Sequence, residues 1–194
     1  MILGVTGSFG TGKTTVAKLF KKYGFEVINS DELYHGIYKK NKFLRNKLLK
    51  EFGTLRRNKI RKIAFSDSDK LKKLNEITHP VIIKDIKKRV SAIIKKANDK
   101  KNDVKIVLDA PLLIEAKMQH IANKIIVVKC NEKEQIKRLL KKKKYSKKEI
   151  SQIIKSQMPL KEKIKYADFV VDNSKTIKKS ERQVDRIMNE ICNC

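Results

Sequence analysis

The residues Gly7-Ser8-Phe9-Gly10-Thr11-Gly12-Lys13-Thr14 follow directly on the apolar run Ile2-Leu3-Gly4-Val5. Gly7 and Gly12, then a lysine and a hydroxyl residue, have the P-loop spacing, placed where a first strand turns into a first helix. Glycines let such a loop wrap tightly so that backbone N–H groups meet phosphate oxygens, and the positive end of the following helix attracts the same anion. Lys13 is then expected at the β- and γ-phosphates, and the Thr14 hydroxyl on Mg²⁺. Gly10, Thr11, Gly12 and Thr15 complete the expected nucleotide cradle. If the glycines were mere turn punctuation, the strand, spacing, lysine, threonine and apolar positions Val16, Ala17, Leu19 and Phe20 would have to coincide by accident. The dinucleotide fingerprint fails, since its third glycine would fall at Thr15.

Two carboxylates stand where further strands should end. Phe25-Glu26-Val27-Ile28 reads as a second short strand followed by Asn29-Ser30-Asp31, and ligands collect at the carboxyl ends of parallel strands. Asp31 has two readings there: a base for an attacking hydroxyl, or the N-cap of a helix starting at Glu32. Val104-Lys105-Ile106-Val107-Leu108-Asp109 has the form of a Walker B strand. Asp109 can orient Mg²⁺, directly or through water, or merely cap a turn before Pro111; the loop upstream favours the metal role.

These groups need elements to hold them. A first helix is expected from Lys13 to about Lys22, ended by Gly24, with Val16, Leu19 and Phe20 turned inward. From Glu32 to about Lys101 the pattern is helical. Leu44, Leu48, Leu49 and Phe52 share a face before Gly53, followed by Ile60, Ile63 and Ala64 and then by Leu71, Leu74 and Ile77. His79-Pro80 reads as a break that starts a new helix, carrying the stripe Ile82, Ile86, Val90, Ile93 and Ala97. A helical segment this long exceeds a simple crossover. It is read as a substrate-binding insertion, residues 32–101, in a nucleotide-binding core of 1–31 and 102–194. Ile125-Ile126-Val127-Val128 is a fourth apolar strand. The helix carrying Gln135, Arg138 and Leu139 runs into Lys141-Lys142-Lys143-Lys144. A lysine run is usually a solvated face, but the segment resembles the lid between the last helices of nucleoside-kinase-like folds, whose cations neutralise the transferring phosphoryl group, and a lid of about residues 139–150 is expected. Lys147 to Lys165 continues helically, bent at Pro159. Ala167 to Asn173 is a fifth strand and its turn, and a closing helix from about Thr176 buries Ile177, Val184, Ile187 and Ile191.

Composition narrows the classes. At 194 residues the chain suits one well-buried core with a small subdomain. No apolar stretch approaches the ~20 residues of a membrane span. The first residues carry no basic stretch or cleavage site of a signal sequence. Cys130, Cys192 and Cys194 make neither a disulfide framework nor a complete zinc site, so a reducing cytoplasm is expected. The net charge of +27 attracts anions of any kind. Lysines are spread evenly and aromatic residues are only 6%, which argues for compositional bias over a nucleic-acid surface. A monomer is expected.

Taken in order, the motifs resemble those of dephospho-coenzyme A kinases over nearly the whole chain. They are Thr6-Gly7 through Thr15, Val27 to Asp31, Glu76-Ile77-Thr78-His79-Pro80, Leu108-Asp109-Ala110-Pro111-Leu112-Leu113-Ile114-Glu115, Gln135 to Leu139, Gln157, and Ala167 to Asn173. The resemblance implies an α/β P-loop kinase fold: a five-stranded parallel sheet flanked by helices, a helical coenzyme-A-binding insertion and a lid. It implies MgATP-dependent phosphorylation of the ribose 3′-hydroxyl of dephospho-coenzyme A. By position, Asp31 becomes the base, and Lys13 and Arg138 the phosphate-neutralising cations. Thr14 and Asp109 become the Mg²⁺ residues, and Asn173 a neighbour of the adenine. His79, Asp109, Pro111 and Leu112 would lie near the acceptor.

Three departures stand out. Asn29 replaces the family's usual Asp, His35 its Arg, and Lys142 the lid's second arginine, losing the bidentate fork. Another small P-loop kinase, such as one acting on a nucleoside monophosphate, explains the loop and lid but not the His79-Pro80 and Asp109-to-Glu115 series. A GTPase switch would want an Asn-Lys-x-Asp motif, and Asn123-Lys124-Ile125-Ile126 lacks its aspartate.

Overall fold

In the computed structural model, which describes residues 1–192, five strands form one all-parallel sheet. They are β1 (Ile2–Gly7), β2 (Glu26–Asn29), β3 (Ile106–Asp109), β4 (Lys124–Lys129) and β5 (Phe169–Asp172), in the order β2-β3-β1-β4-β5. The strands flanking β1 lead the chain away on opposite sides, so a ligand crevice opens at their carboxyl ends. Register sets Val5 opposite Asp109 and Asn29 opposite Asp109, bringing the ends of three strands together.

Side chains alternate between the two faces of the sheet, and both faces are covered. On one, Leu3, Val5, Val107, Ile126 and Val128 meet Val16 and Ala17 of α1 (Lys13–Leu19) and Val184, Ile187 and Met188 of α9 (Ile177–Cys192). On the other, Ile106, Leu108, Ile125 and Val127 meet Ile86 and Val90 of α5 (Ser68–Asp99). The first half of α5 does something else. Its Leu71, Leu74 and Ile77 pack with Tyr38 of α2 (Ser30–Lys40), Leu44, Leu48 and Phe52 of α3 (Lys42–Phe52), and Ile60 and Ala64 of α4 (Arg57–Ser66). This is a second, all-helical core, built where the sequence has no strand. The remaining helices are α6 (Glu132–Lys141), α7 (Lys147–Lys155) and α8 (Leu160–Ile164).

Several expectations are corrected. His79-Pro80 does not break the helix: α5 runs through Pro80 for 32 residues. Pro80 removes one N–H, but Pro80 and Glu76, whose carbonyl loses that donor, are both exposed, so water can serve the carbonyl. Apolar contacts on each side of Pro80, with the helical core before it and the sheet after it, hold the helix together. The first helix ends at Leu19, and a 3₁₀ turn over Phe20–Tyr23 carries the chain to Gly24, whose φ of 83° reverses it. The helix expected from Lys147 to Lys165 is two, parted at Ser156–Pro159, because proline lacks a donor and restricts the residue before it. Leu49 is exposed, since Leu48 takes the inward position and the next residue lies 100° around the helix. Ile177 is also exposed; in the first turn of α9 it is Ser180 that is buried. Cys130 and Cys192 are free thiols, and Cys194 lies outside the described residues.

Candidate active site

The loop between β1 and α1 depends on backbone conformations that side chains rarely adopt: φ is 88° at Gly10 and 84° at Gly12. There is also no room. A methyl group on Gly12 would run into the Asn173 amide and lie 3.6 Å from Arg138 Nη1; one on Gly10 would meet Leu139. The loop is braced from outside as well. Asn173 Nδ2 donates to the Thr11 carbonyl at 2.8 Å, and its Oδ1 accepts from Ser180 Oγ at 2.9 Å. The Phe9 carbonyl accepts from Gln135 Nε2, while the Phe9 N–H donates to Gln157 Oε1 at 2.8 Å. No side chain caps α1, so its opening N–H groups remain for an anion. Thr14 and Thr15, in the first turn, are half-buried and exposed respectively.

At the mouth of this loop the charges converge. Lys13 Nζ donates to Asp109 Oδ1 at 2.8 Å and lies 3.9 Å from Asp31 Oδ2. Asp109 is fully buried, whereas the Asp31 side chain is 72% exposed. Asn29 links the two. Its Nδ2 donates to Asp109 Oδ2 at 2.6 Å, and its Oδ1 accepts from Glu32 N at 2.9 Å, capping α2. The cap is therefore Asn29, and Asp31 stands free in the first turn with its carboxylate turned toward Lys13.

The turn after β3 is held by distant groups. The Pro111 carbonyl accepts from Thr6 Oγ at 3.2 Å and from Lys163 Nζ at 2.6 Å. Glu115 Oε1 pairs with Lys163 at 2.9 Å and accepts from Met158 N at 3.1 Å. His79 faces this turn from α5. Burial holds its pKa below the ordinary histidine value, and the Glu115 charge pulls it partly back. His79 Nε2 and Glu115 Oε2 are both buried without a hydrogen-bond partner. Leu112, in the same turn as Glu115, is half-buried.

Arg138 reaches the loop from α6, its Nε bonded to Glu134 Oε1 at 3.1 Å. Lys141 to Lys144 are exposed at the turn between α6 and α7. Beyond them Tyr145 stands edge-on to Phe9 of the loop, ring centroids 5.1 Å apart. The Arg61 guanidinium of α4 lies over the same ring at 4.6 Å and 3.7 Å from Glu149 of α7. The glycine loop, α4 and the turn before α7 thus meet around Tyr145. Asn29, Gln135 and Lys163 hold the site although the sequence reading gives them no role. Lys163 is one lysine among many, and Asn29 reads only as a departure.

Among the described residues no cluster of three His, Cys, Asp or Glu could enclose a metal by itself. The hard oxygens at hand, the Thr14 hydroxyl and the Asp109 carboxylate, suit Mg²⁺, which keeps waters and takes its remaining ligands from substrate phosphates.

Comparison with known proteins shows the family and the fold. The family model described as dephospho-CoA kinase matches residues 1–179. A curated dephospho-CoA kinase of Carboxydothermus hydrogenoformans is 38% identical, with 97% of this chain and 93% of that protein covered. Among solved structures, a Thermus thermophilus protein superposes with a TM-score of 0.78 at 26% identity, covering 98% of this chain and 97% of its own. The dephospho-CoA kinase from Campylobacter jejuni superposes with a TM-score of 0.65 at 25% identity, covering 98% and 96%. Lys13 held between Asp109 at the end of β3 and Asp31 in the first turn of α2, and likeness along nearly the whole length, lead to one conclusion: this chain belongs to the dephospho-CoA kinase family.

Proposed function

We propose that the protein transfers the γ-phosphoryl group of ATP to the ribose 3′-hydroxyl of dephospho-coenzyme A, giving coenzyme A and ADP. The observation that carries this reading is Lys13 held between Asp109 at 2.8 Å and Asp31 at 3.9 Å. Donor phosphates would enter the loop beside Lys13, and the acceptor hydroxyl would come up to Asp31. Lys13 would exchange its contact with Asp109 for the β- and γ-phosphates, releasing Oδ1. Mg²⁺, bound by Thr14 and Asp109 together with the phosphates, would supply the remaining charge neutralisation.

Asp31 orients the hydroxyl and accepts its proton as the new O–P bond forms and ADP leaves. Its exposure suits a group that must meet a mobile substrate. Arg138 beside Gly12, with the lid lysines, faces the charge spread over the transferring group. Residues 32–101 form the acceptor-binding insertion, where His79, Asp109, Pro111 and Leu112 line the acceptor side. Asn173 marks the adenine side of the loop. The free thiols fit a reducing cytoplasm, and among the described residues no helix is long and apolar enough to cross a membrane. We read the enzyme as a monomer.

A coupled ADP-release assay with dephospho-coenzyme A, AMP, CMP, adenosine and shikimate as competing acceptors tests the reading. Dephospho-coenzyme A should dominate by kcat/KM, and Asp31→Asn should reduce its turnover about 10²-fold or more with an unchanged melting temperature. A preference for a nucleoside monophosphate would replace this function with the neighbouring kinase activity. Full turnover by folded Asp31→Asn would remove the base.

A further inference from the structure

Lys163 is the most deeply buried charge outside the phosphate site: its side chain has 0% exposure. Its ammonium has two partners, the Pro111 carbonyl and Glu115 Oε1, and each partner is shared. Thr6 of β1 also donates to Pro111, and Met158 N also donates to Glu115. Burial pushes the lysine pKa down and Glu115 draws it back up. An apolar side chain of the same length would pack this space without desolvating a charge, and a buried ion pair is on those grounds a poor device for stability alone.

The chain just before Lys163 explains more. Gln157 accepts hydrogen bonds from Phe9 N at 2.8 Å and Ser8 Oγ at 3.3 Å, both in the glycine loop. The short segment 157–163 therefore grips the donor side at one end and the acceptor turn at the other. On the acceptor side, Glu115 Oε2 and His79 Nε2 are buried with unspent hydrogen-bonding capacity. Such groups call for a partner, and an incoming polar ligand group can be one.

We infer that Lys163 is a positioning residue: through Pro111 and Glu115 it holds the acceptor-binding turn in register with the glycine loop, while Gln157 is the matching tether on the ATP side. The inference rests on the acceptor assignment proposed above. Lys163, its side chain fully buried, acts through Glu115 and the Pro111 carbonyl.

Calorimetric titration separates the two ends of the strap. Lys163→Met should raise the Kd for dephospho-coenzyme A about tenfold or more and change the Kd for a non-hydrolysable ATP analogue less than about twofold. Gln157→Ala should do the reverse. Should Lys163→Met fail to fold, Lys163→Met/Glu115→Gln removes the stranded carboxylate. Its acceptor Kd should then exceed that of Glu115→Gln alone. Equal weakening of both ligands in step with melting temperature would reduce Lys163 to a structural ion pair and overturn the inference, as would unchanged acceptor affinity. A wild-type protein that binds no dephospho-coenzyme A would instead overturn the functional reading.

Discussion

The glycine loop of residues 7–14 and the turn of residues 109–115 both follow parallel strands, yet they are shaped by opposite means. The loop takes its form from its own backbone, with φ of 88° and 84° at Gly10 and Gly12, and long-range side chains only brace it. The turn is fixed by groups from far away: Thr6 Oγ, the Met158 N–H and Lys163 Nζ supply hydrogen bonds, and His79 adds a half-buried imidazole. The difference teaches where each half of the site is vulnerable. A change within the loop is felt locally, whereas the turn can be disturbed from several distant elements.

The strongest way to sharpen this contrast is to remove the one cation that belongs to both halves. Lys13→Ala should lower turnover about 10³-fold. It should also destabilise the fold by about 3 kcal/mol, because Asp109 would be left as a buried carboxylate without its countercharge. Adding Asp109→Asn should restore the melting temperature but not turnover. Recovery of both would mean that Lys13 serves structure alone.

Glycine substitutions test the claim about backbone shape. Gly12 and Gly53 both have positive φ, 84° and 64°, but a methyl group on Gly53 would meet nothing within 4 Å. Gly53→Ala should cost about 1 kcal/mol in chemical denaturation and leave kcat unchanged. Gly12→Ala, which must also displace Asn173, should cost more than about 2 kcal/mol and abolish measurable binding of an ATP analogue. Equal costs at the two sites would contradict the tightly walled loop.

The smallest expected effect belongs to the turn after β3 and is read by pH. His79 has a lowered pKa in the folded protein, chiefly through burial. As pH falls through about 6.5, the unfolded chain takes up this proton before the folded one, so stability present at higher pH is lost toward the folded pKa. His79→Gln should flatten that part of the stability curve against pH. An unaltered slope would mean that the imidazole is as well hydrated folded as unfolded.

Legibility in the sequence followed the same division. The loop was readable because phosphate binding by backbone N–H groups needs glycines, a lysine and a hydroxyl residue at short fixed spacing. The position of Asp109 was readable from the apolar strand before it, and the helices between β2 and β3 from their repeated apolar faces. The continuity of α5 was hidden because proline is a local signal, whereas two separate cores holding the helix on either side of Pro80 are not. Lys163 was hidden because burial, which sets it apart from the lysines around it, has no spacing.

By itself, then, the chain's order of residues determined the five strands, the apolar faces of most helices and the residue types of the glycine loop, because each depends on neighbours a few positions away. Tertiary structure alone decided that Asn29 caps α2 and so leaves Asp31 free, that Lys13 rests on Asp109, and that a buried lysine holds the turn after β3 through the Pro111 carbonyl. Those outcomes depend on which polar atoms meet once water is excluded, and chain folding settles that over separations as wide as the 162 residues between Thr11 and Asn173.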